Sequence, residues 1–324
     1  MLRVAFAGTF ATSLAKHVRR QLAIPCDIVV GSEAEILPVL RETEVLVTMS
    51  LTAQMGLMAS RLKLVQVPGA GIDRIDRGAL PTGALLANAH GHETGIAEYV
   101  IGAMLALTRE FSRLDAALRR GDWQSQWAVG APSPPAWAEL AGKTVGILGY
   151  GRVGQAIARR VRAFDMSVCA IRRDIRRSVG DCLALLGGPD LLERVLERSD
   201  YLVVSVPATP ETIGRIGESQ LRLMKSSAFL INIARAEILD EDALFDALAH
   251  RTIAGAALDV WYRYPCAPGL AAPATRPFNE LSNVLMTPHV SGWTNGMLQA
   301  RAGLIAENIR RIASDEMPLN LIVQ

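Results

Sequence analysis

Residues 144–162, TVGILGYGRVGQAIARRVR, constrain the fold of this chain more than any other stretch. A short apolar run meets Gly149-Tyr-Gly151-Arg-Val-Gly154, and a helical pattern follows at once. Between a strand and a helix each glycine has a physical task. The first permits the tight turn, the second lets the backbone approach a pyrophosphate, and the third lets the helix pack closely on the strand. The amino terminus of that helix then favours an anion. The stretch reads as the opening of a dinucleotide-binding unit, with Gly149, Gly151, Arg152, Val153 and Gly154 at the cofactor. Gly142-Lys143-Thr144 has the look of a P-loop ending, but Trp137 stands where its first glycine belongs and the strand follows it.

The same alternation continues downstream: MSVCAIRRD (166–174), LLERVLER (191–198), YLVVSVP (201–207), LMKSSAFLINIAR (223–235) and TIAGAALDV (252–260). Strands separated by helices of this size make a doubly wound parallel sheet. A second alternation precedes it, with LRVAFAG (2–8), CDIVVG (26–31), VLVTM (45–49), LKLVQVPGAG (62–71) and ALLANA (84–89). A single long helix is expected over 96–120, leading out of this first sheet. The Pro- and Trp-containing stretch 126–139 then reads as a boundary loop, with Trp123 and Trp127 anchoring it. After NVLMTPHVSGW (283–293) a last helix is expected over 297–313, too late for the second sheet, so it is assigned to the first. The expected class is therefore α/β, with two doubly wound parallel-sheet domains, a Rossmann cofactor domain inserted into a discontinuous flavodoxin-like substrate domain. The substrate domain is taken as 1–97 with 288–324 and the dinucleotide-binding domain as 98–287.

Composition removes several alternatives. The 34 basic and 32 acidic side chains leave a formal charge of +2, too weak a field to argue for nucleic acid or an acidic membrane surface. Cys26, Cys169, Cys182 and Cys266 form no C-x-x-C pair, so a reducing compartment is expected. The opening MLRVAFAGTF lacks the apolar run of a secretory signal, and the longest apolar stretch, 99–107, is too short to span a bilayer. A soluble cytoplasmic protein is expected. His90-Gly-His92-Glu93 has the look of a metal cluster but lacks a fourth ligand nearby, so no metal is assigned.

The end of the second strand of a dinucleotide fold selects the cofactor, because an acid there binds the ribose hydroxyls whereas a cation accepts a 2′-phosphate. If the strand ends at Ile171, Arg172 takes that position, with Arg173 beside it and Arg176 and Arg177 following. This cationic run favours NADP over NAD. Asp174, two places later, keeps a ribose contact open.

Beyond the glycine turn, several motifs occur in one order: Val67-Pro-Gly-Ala-Gly-Ile-Asp-Arg-Ile-Asp76, Ile96-Ala-Glu-Tyr99, Val206-Pro207 with Pro210-Glu-Thr212, Leu230-Ile-Asn-Ile-Ala-Arg235, Gly255-Ala-Ala-Leu-Asp-Val260 and Thr287-Pro-His289. Together they resemble the NAD(P)-dependent D-isomer-specific 2-hydroxyacid dehydrogenase family over nearly the whole chain. The resemblance implies reduction of a small 2-oxo acid to the D-2-hydroxy acid, and a homodimer built around the crossover helix. It implies Arg235 as the substrate-binding cation, a planar fork suited to a carboxylate. It implies His289 as the acid that protonates the carbonyl oxygen, and as the base in reverse. The backbone of Ala70 and Gly71 would donate to the substrate carboxylate. Val206, Pro207, Thr212, Ile233, Ala234, Asp259, His289 and Gly292 fall at positions that line the cofactor.

One position departs from that pattern. Where most of the family carries a glutamate that hydrogen-bonds the catalytic histidine, this chain has Tyr264 in Asp259-Val-Trp-Tyr-Arg-Tyr264-Pro265. A phenol orients an imidazole but stabilises imidazolium less than a carboxylate does. Tyr264 is therefore counted with Arg235 and His289 in the catalytic set, with Glu280 and Glu93 as acids that would substitute in space. Two alternatives stay open: hydride transfer without a proton step, as in the formate dehydrogenase branch, and a dinucleotide-sensing protein with decayed activity. Trp293, four residues after His289, reads either as a wall of the substrate pocket or as an ordinary core or interface residue.

Overall fold

The computed structural model describes residues 1–130, 134–175, 183–267 and 269–322; Arg176, Arg177 and Cys182 lie outside them. The chain divides into two compact units, Met1–His92 with Trp293–Gln324, and Glu93–Gly292. The division falls five residues before and five after the expected 97/98 and 287/288 boundaries, so the crossover helix and the His289 loop both stay with the second unit.

The first unit contains β1 (Leu2–Ala7), α1 (Thr9–Gln21), β2 (Cys26–Gly31), α2 (Glu33–Ile36), β3 (Val45–Thr48), α3 (Ala53–Met58), β4 (Leu64–Gln66) and β5 (Leu85–Ala87). Their order, β2-β1-β3-β4-β5, is parallel throughout, the flavodoxin-like arrangement. Its central strands are nearly continuous apolar runs because helices cover both faces. In α1, Ala11, Leu14, Ala15 and Val18 fall on one buried face, the spacing of an amphipathic helix.

The second unit contains α4 (Glu93–Thr108), α5 (Phe111–Arg119), β6 (Thr144–Leu148), α6 (Arg152–Arg162), β7 (Ser167–Ile171), β8 (Leu185–Gly187), α7 (Leu192–Arg198), β9 (Tyr201–Val204), α8 (Glu218–Leu223), β10 (Phe229–Asn232), α9 (Glu241–Ala249), β11 (Gly255–Leu258) and β12 (Val284–Met286). The sheet order β12-β11-β10-β9-β6-β7-β8 is again parallel. Consecutive strands run outward from β6 to one side through β7 and β8, then restart beside it at β9. The switch point therefore lies between β6 and β9, where dinucleotides bind in such sheets.

The last helix, α10 (Asn295–Ala313), belongs to the first unit. Thr294 caps it by accepting Met297 N at 3.2 Å, and Ala302, Ile305, Ile309 and Ile312 share a core with Val4, Phe6, Leu14 and Val18. Each such isoleucine contributes about 1.5–3 kcal/mol, enough to hold the segment to the β1 side. Two expectations need correction. The helix expected over 96–120 is two helices, broken where Glu110 adopts φ 52°; its carboxylate there takes Arg113 Nη2 at 2.5 Å and Trp137 Nε1 at 3.3 Å. Trp123 and Trp127 anchor nothing within the described residues, being 61% and 84% exposed. The strand β8 was not foreseen, since three residues carry no readable period.

Candidate active site

The glycine turn sits where β6 passes into α6. Gly149 has φ 109°, and a Cβ there would lie 2.8 Å from the Ser205 carbonyl, so only glycine fits against the end of β9. Gly154 would place a Cβ 2.4 Å from the Gly149 carbonyl oxygen, which enforces close packing of α6 on the turn. Gly151, by contrast, caps α6 and faces open space. That space belongs to a cavity of about 640 Å³ at the switch point, lined by Gly149, Gly151, Arg172, Arg173, Val206, Pro207 and Thr212. β7 ends at Ile171, as expected, which puts both arginines at the cavity. Ser205, Thr209 and Arg215 also line it and had no motif to reveal them, as does Glu211 from the Pro210-Glu-Thr212 motif; Asp174 does not. The Thr212 hydroxyl donates to the Pro207 carbonyl at 2.6 Å, fixing the loop after β9. The turn and the open side of Gly151 fit the pyrophosphate of a dinucleotide. Arg152, Val153, Gly154, Ile233 and Ala234, also expected at the cofactor, are not among the residues lining this cavity, and the last three are buried.

Arg235, His289 and Tyr264 come from the carboxyl-end loops of β10, β12 and β11, which leave one edge of the sheet because the strands are parallel. Asn232 sets the Arg235 backbone: its Nδ2 donates to Arg235 O at 2.9 Å and its Oδ1 accepts Ala234 N at 3.1 Å. His289 is exposed and holds φ 58°, a left-handed conformation disfavoured for a non-glycine residue. Its neighbours explain why it stays there. The Asp259 carboxylate is wholly buried and accepts Thr287 Oγ1 at 2.6 Å, Val290 N at 2.9 Å and Ser291 N at 2.8 Å. Asp259, expected at the cofactor, spends its charge under the His289 loop and brackets it from both sides, while Gly292 follows directly after. Trp261 Nε1 donates to the Thr287 carbonyl at 2.8 Å.

Tyr99, from the Ile96-Ala-Glu-Tyr99 motif, completes this brace. Thr287 has spent its one hydroxyl proton on Asp259, so Tyr99 donates to it at 2.7 Å. Burial pushes the Tyr99 phenol up to about 12, which keeps it a donor. Sequence reasoning saw the motif but not this use of it.

Tyr264 Oη lies 2.7 Å from His289 Nδ1 and also accepts Trp261 N at 3.4 Å. Burial raises the phenol above its ordinary value, partly offset by the Trp261 amide and the Arg235 charge, so it stays neutral. The Arg235 charge thus acts on the residue that holds His289. Glu280 lies exposed on a 3-10 turn.

In the first unit, Ala70 and Gly71 occupy the loop after β4 and are partly exposed. His92 Nδ1 accepts Arg301 Nη2 at 3.0 Å, and its ring stacks near His90. Trp293 is half-exposed and packs edge-on against Phe10, 5.7 Å between centroids. Among the described residues no three metal-ligating side chains gather, and no helix is long and apolar enough to cross a membrane.

Residues 101–291 match the D-isomer specific 2-hydroxyacid dehydrogenase family, NAD binding domain. A glyoxylate reductase of Thermofilum pendens is 34% identical over 309 residues, covering 92% of this chain and 88% of the relative. A D-3-phosphoglycerate dehydrogenase of Methanocaldococcus jannaschii is 32% identical over 296 residues, 90% of this chain but 54% of that longer protein. Among solved structures, an NADPH-dependent glyoxylate/hydroxypyruvate reductase from Sinorhizobium meliloti, in complex with NADP and malonate, superposes with a TM-score of 0.80. It is 26% identical, covering 99% of this chain and 97% of that one.

Proposed function

The chain belongs to the D-isomer specific 2-hydroxyacid dehydrogenase family, and from that premise we propose that it reduces a small 2-oxo acid, of the size of glyoxylate or hydroxypyruvate, to the D-2-hydroxy acid, with NADPH preferred over NADH. The observation that carries the reading is the His289–Tyr264 hydrogen bond at the carboxyl edge of the sheet that also carries the glycine turn, the edge at which the chain leaves β10 into Arg235.

The glycine turn and the amino terminus of α6 would hold the pyrophosphate, and Arg172 and Arg173 would receive the 2′-phosphate, of a nicotinamide cofactor whose chemistry there would be to supply the hydride. Arg235 grips the substrate carboxylate with two parallel N–H donors and draws charge from the adjacent carbonyl. Ala70 and Gly71 supply backbone N–H groups to the substrate. His289 Nε2 gives the proton to the carbonyl oxygen and recovers it in the reverse direction. Tyr264 Oη accepts from Nδ1–H in both states, because the ring that has given up its Nε2 proton keeps the one on Nδ1, and so the ring holds its aim throughout. An imidazole braced this firmly is hard to reconcile with chemistry that moves no proton, which supports reductase over formate-type transfer. The relatives' names and the NADP-bound neighbour support the substrate size and the cofactor choice. The exposed Phe111, Leu118, Trp123, Trp127 and Val129, all following the crossover helix, support a homodimer through this segment.

The test is steady-state reduction of glyoxylate and hydroxypyruvate with NADPH. Arg235→Ala should lower kcat/KM by orders of magnitude, and His289→Ala should abolish turnover while NADPH still binds. Undiminished turnover in His289→Ala would remove its role as the acid.

A further inference from the structure

The loop after β4 is held by its carbonyls. Gly69 O accepts Ala89 N at 3.0 Å, and Ala70 O accepts Asn88 Nδ2 at 2.9 Å. In a trans peptide the C=O and the following N–H point in opposite directions, and no cis bond occurs among the described residues. Tying Gly69 O and Ala70 O to the segment after β5 therefore turns Ala70 N–H and Gly71 N–H away from it. Neither donates to any protein acceptor among the described residues. Two successive donors facing outward from one loop make a backbone receptor for an anion.

Among the described residues Asn88 is the one side chain that hydrogen-bonds these carbonyls. It is 7% exposed, and its own N–H donates to Asn320 O at 3.3 Å, which anchors it to the carboxyl-terminal segment. That segment is pinned in turn, because Asn308 of α10 accepts Leu319 N at 2.7 Å and donates to Leu319 O and to the buried Gln66. Asn88 Oδ1 is buried with no partner among the described residues, so the bond to Ala70 alone fixes which way the amide faces. A flipped amide would set oxygen against oxygen.

We propose that Asn88 is a positioning residue for substrate binding: by holding the Ala70 carbonyl it aims the Gly71 N–H at the carboxylate of the small acid, and the 319–322 segment holds Asn88 in turn. This rests on the reductase reading for the identity of the acid, but not for the existence of the receptor.

The critical variant is Asn88→Asp, the same size with an acceptor in place of the Nδ2 donor. When ionised it repels the Ala70 carbonyl; when protonated it can donate to it again. Oxamate, a carboxylate with the shape of a 2-oxo acid, serves as the probe, titrated into the NADPH-bound protein. At pH 8 Asn88→Asp should weaken oxamate binding at least tenfold and raise KM for glyoxylate similarly, with NADPH affinity and kcat at saturation within about twofold of wild type. The ratio of variant to wild-type affinities should rise toward one as pH falls, because burial beside the Ala70 carbonyl pushes the introduced carboxyl up, a rescue that loss of packing would not give. Asn88→Ala, which removes the tether without repulsion, should fall between the two and guards against misfolding of the first variant. Equal oxamate affinity across all three proteins overturns the proposal, as does parallel loss of NADPH affinity or a wild type that does not bind oxamate. A wild type that binds oxamate yet reduces no 2-oxo acid defeats the reductase reading instead, and the Asn88→Asp comparison still decides this one.

Discussion

Replacing Tyr264 tests how this site manages its proton. The 2.7 Å contact from Oη to His289 Nδ1 is one hydrogen bond on a residue 54% exposed, worth about 1 kcal/mol net. Tyr264→Phe should therefore lower kcat about fivefold, with NADPH binding unchanged, because only the aim of the ring is lost. Tyr264→Glu puts a carboxylate where the phenol stood. Two unit charges about 4 Å apart attract by about 1 kcal/mol in water and about 4 kcal/mol at an effective dielectric near 20. The exposure of the site selects the lower figure. Reduction needs the protonated ring, so its rate is present at low pH and lost as pH rises through the imidazolium titration. A carboxylate partner stabilises imidazolium and should move that falling limb upward by about 0.7 pH unit, since about 1.4 kcal/mol corresponds to one unit. The assay is kcat/KM for glyoxylate reduction from pH 5 to 9 in the three proteins. A Tyr264→Phe enzyme with unaltered rate and profile, or a Tyr264→Glu limb that moves to lower pH, would refute the reasoning.

Asp259→Asn keeps one acceptor but turns a donor toward one of the loop's N–H groups. A buried unpaired donor costs about 1–3 kcal/mol; kcat should fall at least tenfold and Tm by several degrees, and an unchanged Tm would contradict the bracing role. Arg172→Gln combined with Arg173→Gln should raise KM for NADPH by about 10–100-fold and leave KM for NADH nearly fixed; equal effects on both cofactors would argue against a 2′-phosphate site. Glu307, drawn down to about 2 by hydrogen bonds from Arg310 and Arg311, is held below its ordinary 4.5. A carboxylate lowered on folding stabilises above the unfolded value and loses that contribution as pH falls through the folded one. The Tm difference between wild type and Glu307→Gln should accordingly close between about pH 4.5 and pH 2, and a gap that persists at pH 2 would contradict it.

Much of this was legible in the chain because it depends on neighbours in sequence. The glycine turn needs a particular backbone at 149 and close packing at 154, and both requirements are met within one strand and one helix. The apolar runs set the parallel sheets, and the end of β7 at Ile171 put Arg172 and Arg173 in their places. Tyr264 was marked as the odd residue of its motif. Whether its oxygen would meet His289, 25 positions away, depended on β11 and β12 pairing in register.

Folding in three dimensions alone decided what each motif is for. Tyr99 and Thr287 are 188 positions apart, and nothing local marks them as one brace with Asp259. The break at Glu110 is set by Arg113 and Trp137, so a helical period that continues through 109–110 could not reveal it. Nothing in the run ALLANA marks the Asn88 amide for the Ala70 carbonyl, 18 positions earlier. Periodicity and turn chemistry are short-range and are written into consecutive residues. Hydrogen bonds between loops exist only after the strands that carry those loops have been brought side by side.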